Sequence, residues 1–467
     1  MTEKPVESII AEIIEDHGQK NVLADLEKSL ASLTQSLQNE LTGSILEMLE
    51  KELHRRRPQG WKNPGTARRS LLTELGEIQY KRHIYRDEQG RRQMPLDQLL
   101  QIDRYARNSR NLDAMGASLA AESRYRKAAE TLSYRLKQDV SPSTISRMVG
   151  RVGKKIQSWE AQEQYSEAPP GKISAPVLYC ESDGVYIHLQ REKQKKAEVK
   201  VGICYTGKKM IGKKRFRCKD KVTTCQLGLS NLERQVHLRE LVYRHYDCFR
   251  VRLAVIGGDG AAWVQNSFDL LGLPEIHLLD RFHVLRSLRR SFASVPDISE
   301  LSKELFSQGF SAIAPQLRKN MAEQETALHK RQLETYHYLR THANSLVSLD
   351  QRGFAFSFST LGSMEGNVDK LVRQRMRGRG MAWSVSGAQS LLAVMRHKQL
   401  IKSRALAYLP AGKPGSRPSA GRSKGTVPKW SAPTYSIPAF SSAESSDDWV
   451  QLLKHLIDDS LFINAFF

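Results

Sequence analysis

The sequence predicts a mixed α/β core carrying helical additions. Strand-like runs and helices alternate from Pro176 to Leu279 in the order β-β-β-α-β-α-β, residues 281–359 read as helical with no strand pattern, and helical spacing recurs near both ends. A meander followed by alternating helices and strands requires a mixed sheet rather than a sandwich or a bundle. At 467 residues and 40% hydrophobic, the chain can fill a core spread over roughly three domains.

Leu23, Leu26, Leu30, Leu33 and Leu37, preceded by Ile9, Ile10, Ile13 and Ile14, make residues 1–57 helical. Five heptad positions fall short of a coiled coil, so a helical hairpin packing on itself is expected. Residues 58–165 open with the breakers Pro58, Gly60, Pro64 and Gly65. Gly76 to Tyr85 alternates like a strand and, continuing past Asp87 and Gly90, suggests a short hairpin. Tyr125 to Gln138 and Thr144 to Trp159 read as helices joined by Val140-Ser141-Pro142-Ser143. That pair is either a helix-turn-helix, with Arg147 and Arg151 on the reading helix, or an ordinary helical hairpin.

The first part of the α/β core spans 170–280. Val177 to Leu189, Glu198 to Tyr205 and Met210 to Cys218 form the expected meander, then Leu227 to Tyr246 a helix, Val251 to Gly257 a strand, Ala261 to Leu271 a helix and Glu275 to Leu279 a strand. Residues 281–359 read as an all-α insertion, and helical patterning resumes within 360–405. The segment 406–443 reads as a solvated linker, since Pro410 to Ser442 holds six of the 17 prolines with many Gly and Ser. At 444–467 a short amphipathic helix is expected from Trp449, Leu452, Leu453 and Leu456.

Lys and Arg number 72 against 50 Asp and Glu, a net charge of +22. Such a surplus faces anionic partners, and nucleic-acid phosphates are the strongest match. No run reaches about 18 apolar residues, and Met1 to Asp16 carries Glu3, Glu7, Glu12 and Glu15 rather than a signal-peptide order. A soluble, cytoplasmic protein with no membrane partner is expected. Cys180, Cys204, Cys218, Cys225 and Cys248 show no C-x-x-C spacing, so they read as small buried residues in a reducing compartment.

Four carboxylates stand where chemistry is plausible. Asp183 lies inside the first strand and Asp259 follows an apolar strand in Gly257-Gly258-Asp259-Gly260. A charge so placed is costly without a partner, and a divalent cation suits two converging carboxylates. The plain alternatives are a sheet-edge turn residue for Asp183 and a helix N-cap for Asp259. Asp280 ends the next strand and is equally suited to capping the helix that holds His283. Glu365, in Ser363-Met364-Glu365-Gly366-Asn367, is either a first-turn charge behind a Ser363 cap or a third metal ligand. Lys370, Arg373, Arg375, Arg377 and Arg379 follow it, suited to a nucleic-acid backbone. Eight basic residues between Lys208 and Lys221, Lys213, Lys214 and Arg215 among them, form either a DNA track or a solvated edge that blocks sheet pairing. Phosphate-loop, H-E-x-x-H and G-x-S-x-G motifs are absent.

Tyr179-Cys180-Glu181-Ser182-Asp183-Gly184-Val185-Tyr186, Gly257-Gly258-Asp259-Gly260-Ala261-Ala262-Trp263, Leu279-Asp280-Arg281-Phe282-His283 and Met364-Glu365-Gly366-Asn367 resemble landmarks of bacterial insertion-sequence DDE transposases of the ISLre type, related to mutator-like elements. So do the stretch from Thr73 to Tyr85 and Met381-Ala382-Trp383-Ser384-Val385-Ser386-Gly387-Ala388. The likeness runs in order over about residues 66 to 400. It implies a ribonuclease-H-like catalytic core with Asp183, Asp259 and Glu365 as catalytic ligands, and with Asp280, His283 and Asn367 in support. It further implies two Mg²⁺ or Mn²⁺ ions acting on a phosphodiester in line.

The expected activity is thus cleavage of an insertion sequence's ends and joining of the 3′-hydroxyl to target DNA, by a homo-oligomer on double-stranded DNA near the nucleoid. Two alternatives stand beside it. One is a decayed or non-enzymatic DNA-binding protein; the other is a ribonuclease-H-like nuclease without strand transfer.

Overall fold

A computed structural model describes residues 22–401 apart from 165–170, 214, 294, 296, 323–326, 355–360, 379 and 399–400. The expected linker at 406–443, the helix at 444–467 and residues 1–21 of the N-terminal region lie outside the described residues. No helix among those described is long and apolar enough to cross a membrane.

Val22–Arg55 forms one helix, α1; the other arm of the expected hairpin, around Ile9 to Ile14, lies outside the described residues. The α1 sequence holds no proline and one glycine, Gly43, so nothing interrupts backbone pairing. One face docks on a hairpin of β1 (Lys62–Thr73) and β2 (Gly76–Arg86), burying Leu46 with Leu71, Ile78 and Tyr80. Glu50 accepts from the His83 backbone N–H at 2.7 Å. The expected short hairpin past Asp87 and Gly90 forms, β2 pairing with the two-residue β3 (Arg92–Gln93), and the strand at Gly76 has in addition a longer partner upstream in β1. Asp87 explains the turn between β2 and β3, because its carboxylate accepts from the Gln89 and Arg91 backbone N–H groups and from the Arg91 and Gln93 side chains.

The short α2 (Pro95–Leu99) buries Asp97, whose carboxylate pairs with Arg69 at 2.7 Å and also with Arg82. Then come α3 (Arg110–Glu122), α4 (Tyr125–Leu136) and α5 (Pro142–Gln164). Lys137 ends α4 in a left-handed conformation at φ 50°. Along α5, Ile145, Met148, Val149, Val152 and Ile156 are all buried in the central core. Each such side chain contributes about 1.5–3 kcal/mol, so α5 is a structural member of the core.

The central sheet is mixed. Its strands are β4 (Val177–His188), β5 (Lys196–Tyr205), β8 (Val222–Leu227), β9 (Leu253–Gly258) and β10 (Glu275–Leu279), ordered β10-β9-β4-β5-β8. β4 runs antiparallel to β5 and parallel to β9; β5 with β8 is antiparallel, and β9 with β10 parallel. Between β5 and β8, β6 (Gly207–Gly212) and β7 (Arg215–Lys219) form a separate two-stranded ribbon. This corrects the expected meander: Met210 to Cys218 turns back on itself around Gly212, and Val222–Leu227 supplies the sheet's third antiparallel strand.

Helices cover both faces. On one side α6 (Asn231–His245) and the 3₁₀ turn Asn266–Leu271, which continues the short α7 (Ala262–Gln265), pack Leu238, Val242, Phe268 and Leu271 against Leu178, Cys180, Ala254 and Ile256. Residues 281–341 hold four helices, α8 (Arg281–Ser291), α9 (Ile298–Gln308), α10 (Phe310–Lys319) and α11 (Ala327–Thr341). They enclose their own apolar cluster, including Leu288, Phe292, Leu305, Ile313 and Leu339. On the other face lie α5, a helix running through α12 (Met364–Val368), a π-helical turn Asp369–Arg373 and α13 (Gln374–Met376), and finally α14 (Val385–Arg396). A Cβ on Gly153 of α5 would stand 2.5 Å from the Ser390 Cα of α14, so the two helices meet backbone to backbone.

Candidate active site

Residues on β4 alternate between faces: Tyr179, Val185 and Ile187 join the cluster beneath α14, Leu178 and Cys180 the one beneath α6. Glu181 and Asp183 therefore share the face occupied by the Met364–Met376 helix. The parallel register pairs Glu181 with Gly257 and Leu279 with Gly258. Asp183 lies two residues further along β4, Asp259 just past the end of β9, and Asp280 just past the end of β10. Asp259 lies in the turn after β9, near enough to Asp183 for its charge to bear on that carboxyl.

Asp183 is buried, and burial pushes its carboxyl above the usual carboxylate range; His283, the Gly184 N–H and Arg373 pull it back, while Asp259 adds to the rise. Its Oδ1 accepts from the Gly184 N–H at 2.8 Å. One Asp259 oxygen accepts from Ala261 N–H at 2.9 Å, closing a turn, and the next helix has Ala261, not Asp259, at its N-cap. Asp280 does cap α8, accepting from Phe282 N–H at 2.9 Å.

Glu365 sits in the first turn of α12 and pairs with Arg373 at 3.3 Å, both partly exposed. The expected Ser363 cap is corrected: its side chain makes no capping bond. The buried carboxylate of Glu181 takes that place, accepting from the backbone N–H groups of Gly362, Ser363 and Met364 at 3.1–3.3 Å and from Tyr205 Oη–H at 2.7 Å. Burial raises the Glu181 pKa despite these donors. Asn367 donates to Ser363 O and accepts from Lys221 Nζ at 2.5 Å, joining this helix to the foot of the β6–β7 ribbon. The π-turn that begins at Asp369, directly after the short helix holding Glu365, is a feature often found at functional sites.

Sequence reasoning missed Glu181 because it reads as one polar residue within an apolar strand. It also missed Glu198 on β5, whose Oε1 would lie 2.1 Å from a Cβ on Gly184, so a side chain there would push this carboxylate aside. Its pKa is raised, chiefly by burial, with Asp259 contributing. Tyr338 of α11 donates to Asp259 O at 2.8 Å, tying the 281–341 helices to the same end of the sheet.

As donors for a divalent cation, Asp183 and Asp259 fit by chemistry: two carboxylates near one another, neither in an ion pair among the described residues. Glu365 is instead engaged by Arg373. Among the described residues no three His, Cys, Asp or Glu side chains stand close enough together to hold one metal ion.

The expected DNA contacts divide. Arg147 is exposed on α5 and borders a groove of about 830 Å³ together with Arg104, Tyr105, Arg107 and Arg151. Arg151 is already committed to Asp113, at 2.5 and 2.6 Å. Arg375 is corrected outright: it is buried, donates to Ala120 O and lies over the Tyr125 and Trp383 rings, so it holds α3 and α4 to the core. Lys213, Arg215, Lys370 and Arg377 are exposed; Lys214 and Arg379 lie outside the described residues.

Comparison with known proteins places the chain elsewhere than the motif resemblance did. The model of the Uncharacterised protein family (UPF0236) matches residues 19–404. A UPF0236 protein in the vanSb 3′ region of Streptococcus gallolyticus is 25% identical over 400 residues, covering 83% of this chain and 85% of the relative. A UPF0236 protein of Caldanaerobacter subterraneus subsp. tengcongensis, whose name joins eleven loci, is 22% identical over 399 residues, covering 80% and 77%. Another from that organism is 22% identical over 413 residues, covering 83% and 81%. The assignment to ISLre-type DDE transposases is corrected accordingly: the matching family and these relatives carry the UPF0236 name.

Proposed function

The chain belongs to the Uncharacterised protein family (UPF0236), and for this member we propose divalent-metal-dependent cleavage of DNA, followed by joining of the freed 3′-hydroxyl to a second DNA. The observation that carries the reading is the convergence of two carboxylates: Asp183 lies inside β4, and Asp259 lies just past the end of the neighbouring parallel strand β9, near enough for its charge to bear on the Asp183 carboxyl. The sheet order β10-β9-β4-β5-β8, with β5 alone antiparallel to its neighbours, supports a ribonuclease-H-like core. A net charge of +22 supports a polyphosphate substrate. A relative named for eleven loci of one genome is distributed as self-copying DNA would be.

Asp183 and Asp259 would hold Mg²⁺ or Mn²⁺, with Glu365 completing the set only once it leaves Arg373 and closes on them; such ions, when bound, activate water or a 3′-hydroxyl and stabilise the leaving oxygen of an in-line displacement. The protein's own part is positional. Glu181 fixes the start of the Glu365 helix against β4, and Tyr338 fixes the Asp259 turn. A partly exposed pair such as Glu365–Arg373 is worth about 0–1 kcal/mol, so Glu365 exchanges Arg373 for another cation at little cost. The released guanidinium then faces the DNA backbone with Lys370 and Arg377.

The Glu365–Arg373 pair is also the observation that favours a second reading, DNA binding without catalysis. Labelled duplexes from both flanks of the gene, incubated with protein, supercoiled plasmid and Mg²⁺, Mn²⁺ or EDTA, separate the readings. Ion-dependent nicking and joining, lost in Asp183→Asn, is expected. Binding with no nicking in any ion supports the second reading, and nicking that never leads to joining reduces the activity to a nuclease.

A further inference from the structure

Among the described residues the β6–β7 ribbon pairs with no other strand, and it exposes an apolar cluster at its end. Met210 and Phe216 are direct cross-strand partners, 63% and 59% exposed, and Ile211 beside them is 50% exposed. A solitary two-stranded ribbon is marginally stable in water, and an exposed Met–Phe pair adds to that cost unless something covers it. Gly207 to Lys219 contains seven Lys or Arg and no Asp or Glu. That charge identifies the covering partner as a polyanion. At the ribbon's foot Thr206 Oγ1–H donates to Asp220 at 2.7 Å, Tyr246 Oη–H also donates to the Asp220 carbonyl, and Lys221 donates to Asn367. Asn367 lies two residues from Glu365, so the ribbon rises from the helix that carries the candidate third carboxylate.

We propose that this ribbon is a DNA wedge: its lysines and arginines ride the phosphates while Phe216 and Met210 enter between base pairs beside the cleavage point. Apolar side chains used in this way unstack a step for a few kcal/mol and bend the duplex, which exposes a phosphodiester otherwise held in regular B-form. The inference rests on the DNA-cleaving reading above.

The test uses the full-length protein and duplexes from the gene's flanks, each with 2-aminopurine at a different step, in EDTA so that no cutting occurs. A several-fold fluorescence rise confined to one or two steps is expected with the wild type. Phe216→Ala with Met210→Ala abolishes the rise while changing affinity less than about threefold, because phosphate contacts dominate binding. A mismatch at the responding step restores cleavage to that variant in Mg²⁺, since the unstacking is already done. Neutralising Lys208, Lys209, Lys213 and Arg217 instead flattens log K against log salt by about 3–4 units. A rise that survives the double substitution overturns the wedge, as does wild-type protein that binds and cuts with no rise at any step; in that second case the cleavage reading stands. Wild type that gives the localised rise but never cuts in Mg²⁺ or Mn²⁺ keeps the wedge and removes the cleavage reading. Capture by anionic vesicles in preference to duplex overturns the wedge in favour of a lipid surface.

Discussion

The Glu181 carboxylate accepts the Met364 backbone N–H at 3.2 Å, and through this bond a buried charge of the central strand caps the helix that carries Glu365. Side chain and helix lie 183 residues apart in sequence. The bond makes the distance from β4 to Glu365 a property of the core.

Glu181→Ala is therefore expected to cost about 2 kcal/mol or more, as the three N–H groups and Tyr205 Oη–H lose a charged acceptor in a buried place. Glu181→Gln should cost less: its Oε1 still accepts from the helix, and its NH₂ donates to a reoriented Tyr205 hydroxyl. Urea midpoints of the two variants check this, and equal losses would contradict the capping role.

Glu160 binds Arg396 in a bidentate pair at 2.6–3.0 Å and His397 at 2.8 Å, joining α5 to the end of α14. Hydrogen bonds from His397 and the Arg396 charge overcome burial and hold its pKa at about 2, below the usual 4.5. A depressed folded-state value means stability present above pH 4.5 and lost as pH falls towards 2. The loss approaches about 3 kcal/mol. Glu160→Gln should flatten that acid limb and lower stability at pH 7, both read from urea melts across pH.

Glu365→Ala should abolish cleavage and joining while leaving DNA binding and folding nearly intact, because a metal ligand acts on the transition state. Asp280→Ala should keep measurable cleavage and lose about 1 kcal/mol of stability, the worth of an N-cap. Full activity in the first variant and none in the second, with both folded and DNA-bound, reverses the two roles.

Arg147→Ala is expected to weaken binding to the gene's flanking DNA by about 1–3 kcal/mol in a sequence-dependent way. Arg375→Ala should behave otherwise, lowering the melting temperature first and DNA affinity only as folding fails. Fluorescence anisotropy on specific and random duplexes, run beside thermal melts, distinguishes them.

The strands β4, β5, β9 and β10 were legible because β-branched and apolar runs between turn residues leave little else to form. Val222–Leu227 was not, for its six residues follow a basic ribbon whose strand-like composition had already filled the third place in the meander. Asp183 and Asp259 stood out as charges against apolar runs. Glu181 did not, since its meaning depends on backbone amides from a helix far along the chain. Arg375 shows the opposite failure: a run of arginines reads as a surface, yet the turn of the helix aims this one at Tyr125 and Trp383.

The backbone contact of Gly153 with Ser390 has a geometric outcome for any DNA bound along α5. A helix seated this closely in the core has no freedom to swing towards different sequences. Arg147 at its exposed start is thereby held at one constant offset from Asp183. If the protein cleaves DNA as proposed, this fixed offset would make it a ruler: base pairs inserted between the recognised bases and the cut should move the cut by the same number of base pairs.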